Sequence, residues 1–467
     1  MTEKKRITDR ALREAFGGTG DFVVRNVDVG RWRLRVYFID GLTSGGDISD
    51  FVVKPLSKVL EGARVGELLE RAVNGAVYNA VAEPASDLDA AISKLLNGFT
   101  LVLFPGESTA LAFETKTTVD RGPSEPSVEN TVKGAKDAFT ENMRINTSLL
   151  RRHMRSASLR FTQCVAGKRT QTNISVAWVE GVTGKELVDR TVERLEKLEL
   201  ESLATPAAVE ESITGSRRTA FPLLQYTERT DRFITALLDG RIGILVDGLP
   251  MGYLAPVDLG RLMTSPEDLS RDYVSASAIR VIRYGALLVS LLLPALYVAM
   301  AAFHQEMIPT KLLLAIIESK ESVPFPTILE VLGLLLAFEI LQEAGLQLPQ
   351  SIGQTVSIIG GLVVGTAAVE AKLISPAPLI VVSVAGICGF ALPGRDFADA
   401  IRIWRLLLAI LASVGGLFGL SAGFLLLTGH LAGLRSYGVP YLSPFSAATG
   451  GGAVLRKRLE HQRREAA

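Results

Sequence analysis

Val323-Pro324-Phe325-Pro326-Thr327-Ile328-Leu329-Glu330 opens the stretch that decides how this chain is read. It continues through Leu334-Leu335-Leu336-Ala337-Phe338-Glu339 and Glu343-Ala344-Gly345. It closes with Gly360-Gly361-Leu362-Val363-Val364-Gly365 and Ala368-Val369-Glu370. Carboxylates stand inside long apolar runs, and prolines and glycines stand where such runs should be most regular. A charge at the centre of a membrane helix costs roughly 2.5–3.5 kcal/mol on insertion scales, so a glutamate held there is a functional candidate. Glu330, Glu339, Glu343 and Glu370 are therefore candidate pore or gate residues, and Pro324, Pro326, Gly360 and Gly361 are candidate hinges. On one helix Glu339 and Glu343 share a face at i,i+4, with Glu330 nearly opposite. The competing reading is structural: Glu330 and Glu343 sit near element ends and reach headgroups or helix caps. On that reading the prolines fix an entry turn and the glycines form a packing face.

Working outward, Tyr284 to Phe303 is an uncharged apolar run long enough to span a hydrocarbon layer of about 30 Å, with Pro294 predicting a kink. The segment from His304 to Ser322 mixes Leu312, Leu314 and Ile317 with Lys311, Glu318 and Lys320, and reads as an interfacial helix. Further hydrophobic elements are expected at Thr327–Gln342, Ile352–Val369 and Pro378–Leu392. Gly394 to Arg405 is charged and amphipathic. Leu406 to Leu427 is the last clear span, glycine-rich at Gly415, Gly416, Gly419 and Gly423. A cytoplasmic N-terminal region and a basic tail at the same side require an even number of crossings, yet about five segments are countable.

Before the apolar half the pattern changes. Trp32, Leu34, Val36 and Phe38 alternate with Arg31, Arg33 and Arg35, the period of a half-exposed strand. Asp40-Gly41-Leu42-Thr43 ends it and a helix from Asp47 to about Leu60 follows; Asn97-Gly98 then precedes a hairpin. The order returns as a strand at 173–179, Glu180-Gly181-Val182-Thr183, an amphipathic helix with Thr183 and Glu186 placed for a capping box, and Asp239-Gly240. The offset stays near 140 residues, which reads as two related subdomains. Ala135 to Arg155 reads as a helical connector between them.

The chain of 467 residues carries a formal charge of +1, so composition offers no case for a nucleic-acid partner. Two distant cysteines and four scattered histidines give no disulfide framework and no metal-binding spacing, and no cofactor is expected. No Walker loop, nucleophile elbow or catalytic triad signature is present, so an enzyme is not expected. The first residues lead into charge rather than an apolar core, which points away from a signal peptide and towards a cytoplasmic N-terminal region.

The expected fold class is an α/β cytoplasmic region of two related subdomains followed by an all-α multi-span membrane domain. The divisions are a mobile arm over 1–20, subdomain one over 21–128, a helical connector over 129–160 and subdomain two over 161–270. A helical membrane domain over 271–435 and a basic cytoplasmic tail over 436–467 complete them.

Four pieces of sequence together carry a family resemblance. They are Asp137-Ala138-Phe139-Thr140-Glu141-Asn142 with Asn146 and Leu149-Leu150-Arg151-Arg152; Ser265-Pro266-Glu267-Asp268 with Asp272-Tyr273; Pro324-Phe325-Pro326-Thr327-Ile328-Leu329-Glu330; and Ile359 to Gly365 with Ala367-Ala368-Val369-Glu370. In these the chain resembles the A subunit of the GerA-type spore germinant receptors. The resemblance implies a multi-pass protein of the spore inner membrane that works with a nutrient-binding B subunit and a lipoprotein C subunit. It implies a homo-oligomer, on the family pattern a pentamer, in contact with membrane lipid and forming a nutrient-gated cation path. Two alternatives stay open at this point: a non-conducting scaffold, and the related A-like protein of the dipicolinate-channel operon.

Overall fold

The computed structural model describes residues 6–29, 32–59, 67–73, 81–105, 109–117, 133–198, 205–214, 219–347 and 365–445, with positions 126, 129, 131, 454 and 455. The chain divides into two compact units, Met1–Arg217 with Leu224–Pro256, and Arg218–Leu223 with Val257–Ala467. Residues 257–270, grouped by sequence with the second subdomain, pack instead in the helical unit.

The first unit holds two five-stranded antiparallel sheets. One is built from β1 (Phe22–Val29), β2 (Trp32–Ile39), β3 (Ala82–Ala85), β4 (Phe99–Leu103) and β5 (Ala110–Glu114). The other uses β6 (Leu159–Ala166), β7 (Thr172–Val179), β8 (Gln225–Thr227), β9 (Ile242–Val246) and β10 (Gly252–Ala255). Their orders are β1-β2-β4-β5-β3 and β6-β7-β9-β10-β8, the same pattern twice. The turns repeat as well. Gly41 and Gly181 take φ of +85° and +82°, and Gly98 and Gly240 take +81° and +80°, a left-handed region that only glycine enters freely. A Cβ on Gly98 would meet the Leu42 carbonyl at 3.0 Å, and one on Gly240 would meet the equivalent Val182 carbonyl at 3.2 Å.

Each sheet is covered on both faces. In the first, α1 (Asp9–Phe16) and α2 (Leu88–Leu96) bury Leu12, Phe16, Leu88 and Leu95 against Tyr37, Ile39 and Leu101. Helical turns over 45–59 bury Ile48, Val52 and Leu56 against Leu34, Val36 and Val102 on the other face. The second sheet packs α3 (Met143–His153) and α6 (Thr230–Leu238) through Leu150, Phe233 and Leu237. Helices α4 (Lys185–Glu196) and α5 (Pro206–Thr214) bury Val188, Thr191, Leu195, Val209 and Ile213.

Three expectations change here. The arm over 1–20 contains α1, which Thr8 caps and whose Leu12 and Phe16 are fully buried; an eight-residue amphipathic helix dense in charge resembles a solvated arm. The helical connector shortens to α3, because Asn142 caps it and Asn146 fixes Thr140 through bonds of 2.8 and 2.6 Å. The lead-in is extended, with Phe139 N–H donating to Glu228. No capping box forms at α4: the Thr183 hydroxyl accepts from Val179 N–H instead, and Gly184 occupies the cap position.

The second unit is helical: α7 (Tyr273–Phe303), α8 (Thr310–Lys320), α9 (Thr327–Gln347), α10 (Pro376–Phe390) and α11 (Arg395–Gly433), with 365–370 also helical. Helix α7 continues through Pro294 and begins well before Tyr284, with Asp272 as its cap. Among the described residues, α7 and α11 are the two helices long and apolar enough to cross a membrane. Helix α11, however, is not straight. Gly416 has φ +57° and ψ −137°, and the rings of Trp404 and His430 lie 5.8 Å apart. Twenty-six residues of straight helix would separate them by about 39 Å. A Cβ on Gly423 would meet Leu408 at 2.6 Å, and one on Gly419 would meet the Leu411 carbonyl oxygen at 2.1 Å. The run read as one span from Leu406 to Leu427 is thus the closed end of an antiparallel helical hairpin bent at Gly415–Gly416.

The C-terminal segment returns to the open end of that hairpin. Residues Arg435–Ser436 and Val439–Pro440 pair as a short ribbon, and Tyr441 is fully buried. The Ser436 hydroxyl accepts from Val257 N–H and donates to the Leu223 carbonyl. This part of the expected basic tail is therefore packed structure; the arginine-rich end lies outside the described residues.

Candidate functional site

Helix α9 carries the acidic residues that the sequence singles out, and the structure gives each a different setting. Glu330 is buried, 2% exposed. Its Oε2 accepts from Ser375 N–H at 2.7 Å and from the Ser375 hydroxyl at 2.6 Å, at the N-terminus of α10. Helix N-termini favour negative charge, so this contact pins α9 to α10. The other oxygen has no hydrogen bond and faces Lys320 Nζ at 3.6 Å, where α8 ends; Lys320 also donates to Thr327. One carboxylate thereby joins three helices.

Glu339 lies about two and a half turns further along and is half-buried. Arg405 Nη2 donates to its Oε1 at 2.6 Å, and Arg402 Nη1 lies 3.9 Å from its Oε2. Arg402 is also 2.8 Å from Asp399. The Arg405 side chain is only 5% exposed. The Gly416 bend meets the end of α7, where a Cβ would sit 2.9 Å from Phe303 Cβ. Eleven residues back from that bend, Arg405 lies about 16 Å along the helix from the closed end.

Glu343 and Glu370 are exposed. Pro324 and Pro326 precede α9 in the turn from α8, while Gly360 and Gly361 lie outside the described residues. The structure therefore brings Glu330 and Glu339 into inter-helix contacts on one helix, and does not gather the four glutamates into one cluster. Among the described residues, no group of three or more His, Cys, Asp or Glu could hold a metal ion.

The sequence reading missed the partners. Arg402 and Arg405 were seen only as the charged lead-in to a span, although two arginines spaced i,i+3 before an apolar run signal a basic helix face. Arg280 and Arg283 stand just before the apolar run that begins at Tyr284. Both are buried inside α7 on Asp268, with bonds of 3.0 Å from Arg280 and of 2.9 and 3.1 Å from Arg283; Arg283 also donates to the Met263 carbonyl. Burial pushes the Asp268 carboxyl up, but Arg283 and Arg280 outweigh it and hold its pKa below the ordinary value. In the first unit Arg151, fully buried, donates to both oxygens of Asp21 at 2.7 and 2.9 Å and to the Ser156 carbonyl.

Large apolar side chains of the helical unit face outward, among them Ile282, Leu336, Ile387, Val414, Phe418 and Leu425, each more than half exposed. Exposure on this scale marks a surface that meets lipid or protein rather than water.

The chain thus joins a doubled α/β module to a unit of apolar helices pinned to one another by buried charges. The chain belongs to the Bacillus/Clostridium GerA spore germination protein family, whose model matches residues 10–466. It is 36% identical over 430 residues to the uncharacterized membrane protein YfkQ of Bacillus subtilis (strain 168), covering 92% of this chain and 83% of that one. It is 35% identical over 437 residues to spore germination protein KA of the same organism, covering 92% and 79%. Spore germination protein B1, also from that strain, is 32% identical over 441 residues, covering 94% and 91%. Among solved structures, the N-terminal domain of the A subunit of the Bacillus megaterium spore germinant receptor GerK3 aligns at 23% identity with a TM-score of 0.42, covering 55% of this chain and 96% of that one.

The residues that carried the resemblance have visible work in the structure. Asn142 and Asn146 set the start of α3, Arg151 holds Asp21, Asp268 holds two arginines of α7, and Glu330 joins three helices.

Proposed function

We propose that the chain is the A subunit of a nutrient germinant receptor, embedded in the spore inner membrane by several crossings. It works there with a nutrient-binding B subunit and a lipoprotein C subunit. Copies of the chain assemble, and their helices line a cation path that opens when nutrient binds the partner; the change is a shift between two arrangements of the same helices. The observation that carries this reading is the family match over residues 10–466, which takes in the α/β module and the helical unit together. The outward apolar side chains and the two helices long and apolar enough among the described residues to cross a membrane support a membrane setting. The test is reconstitution with both partners in potassium-loaded vesicles. Potassium release on nutrient addition is expected, and vesicles that stay ion-tight with all three subunits present refute the channel.

A non-conducting scaffold is the second reading. It is favoured by one observation: Glu330 and Glu339 are both engaged within the chain rather than presented together to a water-filled path. Charge-neutral changes at Glu339 separate the two, since a scaffold keeps its ion-release kinetics and selectivity.

A further inference from the structure

The two halves of the α/β unit meet through an asymmetric joint. The first subdomain brings the loop before β1 and the turn after β2; the second brings α3 and its outermost strand, β6. Arg144 Nη2 lies 2.6 Å from Asp40 Oδ1, and a Cβ on Gly41 would meet the Arg144 carbonyl oxygen at 2.9 Å and Ser148 at 3.2 Å. Gly20 N–H donates to the Phe161 carbonyl at 2.8 Å, and Phe161 N–H donates to the Thr19 hydroxyl at 3.0 Å. Arg155 reaches Asn97 at 2.9 Å, and Leu42 and Leu96 are 5% and 7% exposed.

Because the subdomains share one topology, each half of this joint has a counterpart elsewhere in the unit. Asp40-Gly41-Leu42 corresponds to Glu180-Gly181-Val182, and Leu96-Asn97 to Leu238-Asp239. There the surface is open: a Cβ on Gly181 would meet nothing within 4 Å, and Val182 and Leu238 are 49% and 52% exposed. The Ser156 hydroxyl bonds Ser158 at 2.7 Å, just as Thr19 bonds Asp21 at 2.8 Å. The counterpart of α3 is α1. Thr8 and Asn142 cap them, Leu12 and Phe16 are buried where Asn146 and Leu150 are, and Arg10 therefore matches Arg144. Glu14 is exposed where its match, Ser148, is buried beside Gly41. Strand β1 is outermost in its sheet, as β6 is in the other.

We propose that a second copy of this chain docks by repeating the joint, with α1 and β1 of one copy against the Ser156 loop and the Gly181 turn of the next. The charges are complementary. Arg10 and Arg13 stand exposed on α1, while Glu180 and Asp239 stand exposed on the opposing end. Arg10 takes towards Glu180 the place that Arg144 holds towards Asp40. Within one chain Arg10 is engaged by an exposed i,i+4 pair with Glu14, which costs little to exchange. Val24 of β1 takes the place of Phe161 and receives the loop at Ser156-Ala157. The joint is heterologous, because each copy offers a different surface to each neighbour. Docking of this kind does not stop at two copies, and it closes into a ring where the rotation divides a full turn.

This inference deepens the assembly named in the receptor reading and rests on it for its purpose, but its test needs neither nutrient nor partner subunits. Full-length chains carrying Arg10→Cys are mixed in detergent with differently tagged chains carrying Val182→Cys and treated with a short bis-maleimide. Both sites are exposed, so the variants keep the fold. The mixed dimer should form about tenfold faster than any product of either variant alone or of the parent, whose Cys164 and Cys388 set the background. Adding Leu238→Asp to the Val182→Cys chain should leave thermal melting unchanged and cut the mixed product about tenfold. Absence of a mixed product above background overturns the joint, and so does a Leu238→Asp chain that cross-links undiminished. A chain that sediments as an oligomer yet gives no mixed product loses this joint and keeps the assembly. Vesicles that stay ion-tight while the joint cross-links lose the channel and keep the joint.

Discussion

Closing the arms of α11 is the most exposed claim about the helical unit, and Gly419 is the place to test it. A Cβ there would lie 2.1 Å from the Leu411 carbonyl oxygen and 2.8 Å from its carbon. Ordinary contact is about 3.5 Å, so Gly419→Val forces the arms apart by more than about 1 Å along their tightest line. The obstacle is backbone, which cannot turn aside as a side-chain end can. Overpacking of this kind costs about 1–3 kcal/mol, and every 1.4 kcal/mol is about a tenfold change in the ratio of closed to open arms. Cysteines at Trp404→Cys and His430→Cys report closure, since the rings they replace stand 5.8 Å apart. They should cross-link readily in the otherwise unchanged chain, and Gly419→Val should cut the rate by roughly fivefold or more. Gly415→Ala is the control, because a Cβ there meets only Phe418, at 3.9 Å. A straight α11 would hold the two cysteines about 39 Å apart. No intramolecular cross-link in the parent, or equal cross-linking in all three, refutes the hairpin.

Asp268→Asn leaves Arg280 and Arg283 buried without a counter-charge and should cost about 3–5 kcal/mol of the helical unit's stability, read as a fall in the denaturation midpoint in detergent. Because the folded Asp268 pKa is lowered, its contribution is complete above the unfolded value and is lost as pH falls through the folded one; the variant should show less acid sensitivity than the parent below about pH 4. Arg151→Met should destabilise the α/β unit by a similar amount, about 3–5 kcal/mol, measured by urea unfolding followed through tryptophan fluorescence. His153 has the opposite pH sign. Its hydrogen bond to Asp137 raises its pKa against burial, so its contribution is present below about pH 6.5 and is lost as pH rises through the higher folded value. His153→Gln should flatten that slope in a stability-against-pH series.

The doubled module was legible because its signals are local. Alternation in β2, the Asp40-Gly41 and Glu180-Gly181 turns, and the Asn97-Gly98 and Asp239-Gly240 turns all act over a few residues, and each reappears at the right place in the sheets. What failed was equally physical. Helix α1 is too short and too charged for its periodicity to stand out, and the Thr183 hydroxyl could choose between a cap and a turn, a choice that tertiary closure makes. The partners of Glu330 and Glu339 come from Ser375 and Arg405, 45 and 66 positions away. A single sequence gives the cost of a buried carboxylate but not the donor that offsets it. The bend at Gly416 was hidden for another reason. A hydropathy window sums composition, and two arms meeting at a glycine pair sum to the same value as one long span.

That last point bears on the count of crossings. With one span from Leu406 to Leu427, a chain entering and leaving at the same side needs a partner crossing that the apolar runs do not supply. With a hairpin, the first arm (395–415) rises beside α7 to the level of Phe303 and the second (417–433) descends to where it began. The arms measure about 31 and 25 Å, close to the apolar run of α7 that they accompany. The chain then returns through Ser436 to Leu223 and Val257, at the end of the helical unit where α7 also starts. Under the proposed membrane setting the hairpin contributes two passages or none, never one, so it no longer adds an odd crossing to the count. Within the hairpin Arg405 is 5% exposed, and the Glu339 carboxylate on α9 supplies the counter-charge that a buried guanidinium needs.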